Sequence, residues 1–122
     1  MTDDTLQRAH DAQALIDTLE GLELASAALR ARYGPFGTFD HDRKILLATL
    51  RDEYRMGATT RISADSLDDM AHADERYQQF LTTAYAERTK LAEIDAQRVA
   101  LDHKIALAKA LLYAHARLAG LA

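Results

Sequence analysis

Residues 76–119 read RYQQFLTTAYAERTKLAEIDAQRVALDHKIALAKALLYAHARLA, and this stretch contains neither Gly nor Pro. Alternating spacings of three and four residues run through it, which is the heptad pattern of an α-helix that buries one stripe. Asp74 stands immediately before the helix start as a candidate N-cap. We therefore predict one long helix over residues 75–119. Its buried stripe consists of Tyr77, Phe80, Ala84, Glu87, Leu91, Ile94, Arg98, Leu101, Ile105, Ala108, Leu112 and His115.

This helix is long for a chain of 122 residues. At 1.5 Å per residue it extends about 68 Å, whereas a compact chain of this length is about 35 Å across. No Gly or Pro marks a bend, so we expect the helix to project from the rest of the chain. After Ile105, apolar residues surround the helix on most sides, which is typical of a segment buried all round. The pattern predicts self-association through this segment.

The expected interface between copies includes two polar positions on the stripe. Arg98 needs a carboxylate partner if it is buried, and Glu87 or Glu93 of another chain would supply one. His115 is interpreted as a polar break that specifies register. The predicted interface residues are Arg98, Ile105, Leu111, Leu112, His115 and Leu118.

The rest of the chain predicts three further helices and no strand. The first covers residues 1–33, with its stripe at Leu15, Leu19, Leu22, Ser26, Leu29 and Tyr33. The loop GPFGTFD, residues 34–40, follows, with Asp40 as the N-cap of a helix over residues 41–57 that ends at Gly57. Ser63 caps a short helix over residues 63–73. The fold class is all-α: a single domain forming a helical hairpin or bundle with one long C-terminal helix, assembled as a coiled-coil-like oligomer.

Composition excludes several classes of protein. The chain has no Cys, which rules out disulfides and Cys-based metal sites. The first residues, MTDDTLQRAH, are acidic and polar, so we expect no signal peptide, no membrane partner and a cytoplasmic location (host cytoplasm if the chain is phage-encoded). No catalytic or cofactor motif is found, so we expect a non-enzymatic protein without cofactor or metal. The strongest candidate metal site is formed by four residues at helix spacing: Asp68, Asp69, His72 and Glu75. A second such motif on a facing helix, which a di-metal bundle needs, is missing.

Basic residues concentrate in the second helix although the chain carries a net charge of −4. Lys44, Arg51 and Arg55 fall on one face, and Lys44 is expected to have no carboxylate partner three or four residues away. A solvated surface is one interpretation of this face, and a phosphate-binding surface is the other.

The stretches RISADSLDDMAHADERY (residues 61–77) and KLAEIDAQRVALDHKIAL (residues 90–107) combine a Ser-capped short helix, an Asp-x-x-Tyr entry into a long helix, and late basic residues. Over residues 61–109 this arrangement resembles the phage recombination mediators. The resemblance implies a ring-forming protein that binds single-stranded DNA and helps to load a recombinase. It also implies that Arg98, Lys104 and Lys109 face DNA or a neighbouring subunit.

The sequence therefore indicates two alternative functions. The first is a phage-type accessory protein of DNA recombination or replication that binds single-stranded DNA, a recombinase or an annealing protein. Its predicted nucleic-acid contacts are Lys44, Arg51, Arg55, Arg61, Lys104 and Lys109, with Phe36, Phe39 and Tyr113 as the aromatic residues available for base stacking. The second is a coiled-coil scaffold, virion component or protein inhibitor that does not bind nucleic acid. Its acidic patch would face a basic partner: Asp65, Asp68, Asp69, Asp74 and Glu75.

Overall fold

The computed structural model describes residues 3–118 and 120, and within them the protein is all-α, as predicted. The helices are α1 (Asp3–Tyr33), α2 (Phe39–Gly57), α3 (Ala64–Ala73) and α4 (Glu75–Leu118). Residues 1, 2 and 119 of the predicted helix ranges lie outside the described part. In that part, no helix combines the length and the apolar character needed to cross a bilayer.

The predicted stripe of α4 is confirmed position by position. Each of its residues from Tyr77 to His115 is buried or half-buried, and α4 continues without interruption through all of them. The stripe predicted for α1 is confirmed in the same way, with Ser26 fully buried. The Ser26 hydroxyl donates a 3.1 Å hydrogen bond to the Glu23 carbonyl, which satisfies this buried polar group.

Two predicted helix caps are confirmed and one is wrong. Ser63 Oγ accepts the Ser66 N–H at 3.2 Å and Asp74 Oδ1 accepts the Arg76 N–H at 2.8 Å, so both residues cap the helices that follow them. Asp40 is not an N-cap, because α2 begins earlier, after Thr38. The chain turns within Gly34–Gly37, since the N–H of Gly37 already reaches back to the Gly34 carbonyl at 2.9 Å.

The chain divides into two compact units, one of which contains residues up to Ala28 together with those from Leu91 onward. In this unit Arg8 and Asp11 line a groove with Ala108 and Leu111. Further along, Glu23 meets Arg98, so the two segments run antiparallel.

The expectation of a projecting, uncovered helix is therefore corrected. The C-terminal half of α4 has its stripe covered by α1 of the same chain. The apolar stripe of α1 packs on this half of α4, where the length of α4 had led us to expect another copy of the chain.

The second unit comprises residues 29–90 and has an aromatic and leucine core. Leu47 and Leu50 of α2 pack against Ala71 of α3 and Tyr77 of α4. Phe39 stacks on Phe80, with 5.4 Å between ring centroids. Since α2, α3 and the start of α4 all contribute to this core, it fixes the sharp turns on both sides of α3.

Candidate functional site

The basic face predicted on α2 is largely neutralised within the chain. Lys44 Nζ lies 3.0 Å from Asp40 Oδ2, which corrects the expectation that no carboxylate four residues away pairs with it. Arg43 also forms an ion pair with Asp40. The pKa of the Asp40 carboxyl is lowered, mainly by the hydrogen bond from Arg43 and then by that from Lys44. Arg55 Nη1 lies 2.9 Å from Asp52 Oδ1. Asp40 at the start of α2 and Asp52 later in the same helix thus offset the positive charges of Lys44 and Arg55.

Arg51 is the third member of the face, and it lies 3.4 Å from Asp68 Oδ1 of α3. His72 Nδ1 is 2.7 Å from the Asp68 carbonyl oxygen, so this ring nitrogen donates within α3. In the described part of the chain, no group of three or more His, Asp or Glu side chains could hold a metal ion. The acidic patch is correspondingly smaller than its sequence suggests, and its exposed members are Asp65, Asp69 and Glu75.

Arg61, Lys104 and Lys109 are exposed, and in the region that the structure describes they form no ion pair. Lys104 and Lys109 are five residues apart on α4, which places them about 140° apart around the helix axis. The two lysines therefore do not share a face. Arg61, in contrast, lines the same cleft as Arg55, so the structure brings these two predicted contacts together.

The entry into α4 holds a polar network that sequence reasoning only partly anticipated. The Tyr54 hydroxyl donates to Asp74 Oδ2 at 2.7 Å, and Arg76 Nη1 lies 2.7 Å from Glu53 Oε2. The pKa of Asp74 is well below its ordinary value, chiefly because the Arg76 side chain, then Tyr54, hydrogen-bonds the carboxylate. The same bonds to Asp74 and Glu53 raise the pKa of Arg76. The N-cap signal at Asp74 was visible in sequence, but its partners on α2 were not.

The predicted interface residues separate into two groups. Ile105 is buried, and Leu112 and His115 are half-buried on the stripe that α1 covers. Leu118 is exposed, and Leu111 is partly exposed at the edge of the groove that it lines with Arg8 and Asp11 of α1.

Arg98 also belongs to the covered stripe, and its carboxylate partners come from the same chain. Its Nη2 lies 3.4 Å from Glu23 Oε1 and its Nη1 lies 3.3 Å from Asp95 Oδ1. This corrects the expectation of a partner from Glu87 or Glu93 of another copy. Glu87 instead lies 3.9 Å from Arg32.

Comparison with known proteins adds no relative to this picture: no family model, no curated protein and no solved structure matches the chain. The resemblance to phage recombination mediators therefore stays a prediction from the sequence. Within the described residues, the structure shows an all-helical protein with exposed leucines late in α4 and a cleft lined by Arg55 and Arg61.

Proposed function

We propose that this protein is a non-enzymatic helical interaction module. Its α4 pairs with the α4 of a second copy of the chain. The observation that supports this proposal is an exposed apolar stripe. Leu107, Leu111 and Leu118 are 61%, 45% and 89% exposed, respectively, and Ala114 completes a spacing of four, three and four residues between them.

This leucine stripe (Leu107, Leu111, Ala114 and Leu118) is separate from the stripe covered by α1. At about 100° per residue, its members fall within about 60° of one another and their centre lies about 140° around the axis from the Ile105 and Leu112 side. One helix therefore carries two apolar faces, of which α1 covers only one. A helix with a second uncovered face at coiled-coil spacing is suited to accept a further helix.

The leucine stripe offers enough apolar surface for association at moderate concentration. Burying a leucine side chain contributes about 1.5–3 kcal/mol, so three from each of two copies contribute on the order of 10 kcal/mol. Association itself costs about 4–15 kcal/mol in lost translational and rotational freedom. Even at the lower cost the net gain is about 6 kcal/mol, so pairing is expected to be weak, with a Kd of tens of micromolar or above.

Analytical ultracentrifugation of the purified chain over a micromolar concentration series tests the proposal. We expect a species larger than the monomer, and we expect the L111Q/L118Q variant to be monomeric with unchanged helicity by circular dichroism. The matched control is L6Q/L24Q, which replaces two exposed leucines of α1. A monomeric wild type throughout the series, or equal association of both variants, contradicts the proposal.

The second candidate is the phage-type accessory function in DNA recombination. The observation that favours it is that Arg61, Lys104 and Lys109 are exposed without ion pairs in the described residues. Phe36, which is fully exposed at the loop tip, adds an aromatic face for base stacking.

Retention on single-stranded DNA as a function of salt tests this second function. At about −0.7 for each neutralised phosphate, a strand that contacts Arg61 and one of the two lysines gives a log–log slope of about −1.4, and contact with all three gives about −2. Replacing the three basic residues by Gln is expected to reduce the magnitude of this slope towards zero. No retention at low salt would leave only the helical interaction function.

A further inference from the structure

A cleft of about 290 Å³ lies where α2 ends and α3 begins. It is lined by residues from the last turn of α2, the connecting segment and the first turns of α3: Arg55, Thr60, Arg61, Ile62, Ala64 and Leu67. None of these lining residues is acidic, although α3 itself is rich in Asp. The cleft is thus a positively charged recess in an acidic protein.

The side chains of the cleft form a donor set for an anion. Two guanidinium groups and one threonine hydroxyl supply N–H and O–H donors, and arginine matches phosphate oxygens with two parallel hydrogen bonds. Leu67, which is buried, and Ile62 supply the apolar part of the lining. An apolar floor lowers the local dielectric constant, which strengthens the attraction between the arginines and a bound anion.

Both arginines are available to a ligand. Arg61 is exposed and forms no ion pair in the described region. The ion pair between Arg55 and Asp52 joins side chains that are 64% and 65% exposed. Exposed pairs of this kind contribute little, because water already solvates both charges. A phosphate group that accepts two parallel hydrogen bonds from a guanidinium therefore has only a weak, solvated pair to displace at Arg55.

The start of α3 also attracts an anion, but more weakly than the two arginines. The Ser63 hydroxyl already accepts the Ser66 N–H, but the N–H groups of the first helical residues have no partner within the helix. Asp65 in the same turn opposes this contribution. The two arginines therefore dominate the recognition.

We propose that this cleft binds a phosphate group through Arg55 and Arg61. The group is either part of a single strand's backbone, which deepens the second candidate function by giving that strand a defined contact, or part of a small phosphorylated ligand. The shared chemistry is the tetrahedral phosphate with at least one negative charge.

Titration with two probes, followed by NMR chemical shifts of backbone amides, distinguishes these sources. The probes are inorganic pyrophosphate and a thymidine oligonucleotide of about 16 nucleotides, the upper site size of a single OB-fold domain. We expect shifts centred on residues 60–67. We expect R55Q and R61Q each to weaken binding by about tenfold or more, since a charged hydrogen bond is lost. K90Q, which replaces an exposed lysine elsewhere in the same unit, is the matched control.

The outcomes separate the cleft from the DNA function. Binding of pyrophosphate without the oligonucleotide supports a site for small phosphorylated ligands and argues against the single-strand function. Oligonucleotide binding that R55Q and R61Q leave unchanged overturns the cleft while the DNA function stands. Binding of neither probe overturns the cleft as well. Circular dichroism establishes that the variants, whose altered residues are exposed, remain folded.

Discussion

The Tyr54 hydroxyl on α2 and the Asp74 carboxylate before α4 are joined by a 2.7 Å hydrogen bond between residues twenty positions apart. This bond ties the end of α2 to the N-cap of the longest helix. Asp74 also accepts the backbone N–H and the side chain of Arg76. One carboxylate therefore joins α2 to the first turn of α4.

The first prediction concerns acid stability. The folded-state pKa of Asp74 is depressed, mainly by Arg76 and then by Tyr54. A carboxyl group whose pKa is lowered in the folded state stabilises the fold fully above its ordinary pKa of about 3.9. This stabilisation is lost as the pH falls towards the lower pKa of the folded state. We expect D74N to reduce stability at pH 7, and we expect the difference from wild type to shrink steadily below about pH 4.

Urea unfolding of both chains across this pH range measures the effect. Asn is a good N-cap, so D74N removes the charge while keeping the helix start. D69N, which changes an exposed carboxylate of α3, serves as the control. An equal loss of stability at pH 7 and at pH 3 would show that the charge of Asp74 is not what stabilises the junction.

The second prediction compares two glycines. A Cβ added at Gly37 would lie 2.3 Å from the Arg32 carbonyl oxygen, and this backbone atom cannot move aside without disturbing the end of α1. We expect G37A to lower the free energy of unfolding by about 1–3 kcal/mol, as overpacking does. Chemical denaturation is the measurement.

Gly21 is the matched control for this substitution. It lies inside α1, and an added Cβ meets nothing within 4 Å. Replacing a helical Gly by Ala removes unfolded-state freedom, so G21A is expected to stabilise the chain by about 1 kcal/mol. If G37A and G21A shift stability in the same direction, the close approach of the loop to α1 is not a constraint in solution.

The third prediction tests the continuity of α4. Ala96 is exposed near the middle of this helix, so its replacement removes no buried contact. Pro at this position removes one helical hydrogen bond and clashes with the preceding turn, which costs about 3 kcal/mol or more. We expect A96P to show a correspondingly lower unfolding midpoint and reduced helicity. A96S, which keeps the N–H, should cost about 0.5 kcal/mol, and wild-type stability of A96P would mean that the chain already bends there.

The sequence by itself determined the helices and their buried stripes. Helical hydrogen bonds connect residues four positions apart, and heptad spacing depends only on the repeat of the helix. The continuity of α4, its stripe from Tyr77 to His115 and the caps at Ser63 and Asp74 all follow from such local relationships. The one misplaced cap, Asp40, lies in the first turn of α2 and pairs with Lys44 instead of capping the helix.

The tertiary structure decided which surfaces are covered and which charges meet. Arg98 finds Glu23, seventy-five positions away, and Arg51 finds Asp68 on a neighbouring helix. Such pairs depend on how one helix is rotated and shifted against another, which is set by packing over the whole unit rather than by neighbouring residues. For the same reason, the leucine stripe could be distinguished from the stripe under α1 only once α1 was in place. The cleft that brings Arg55 and Arg61 together likewise required the folded turn between α2 and α3.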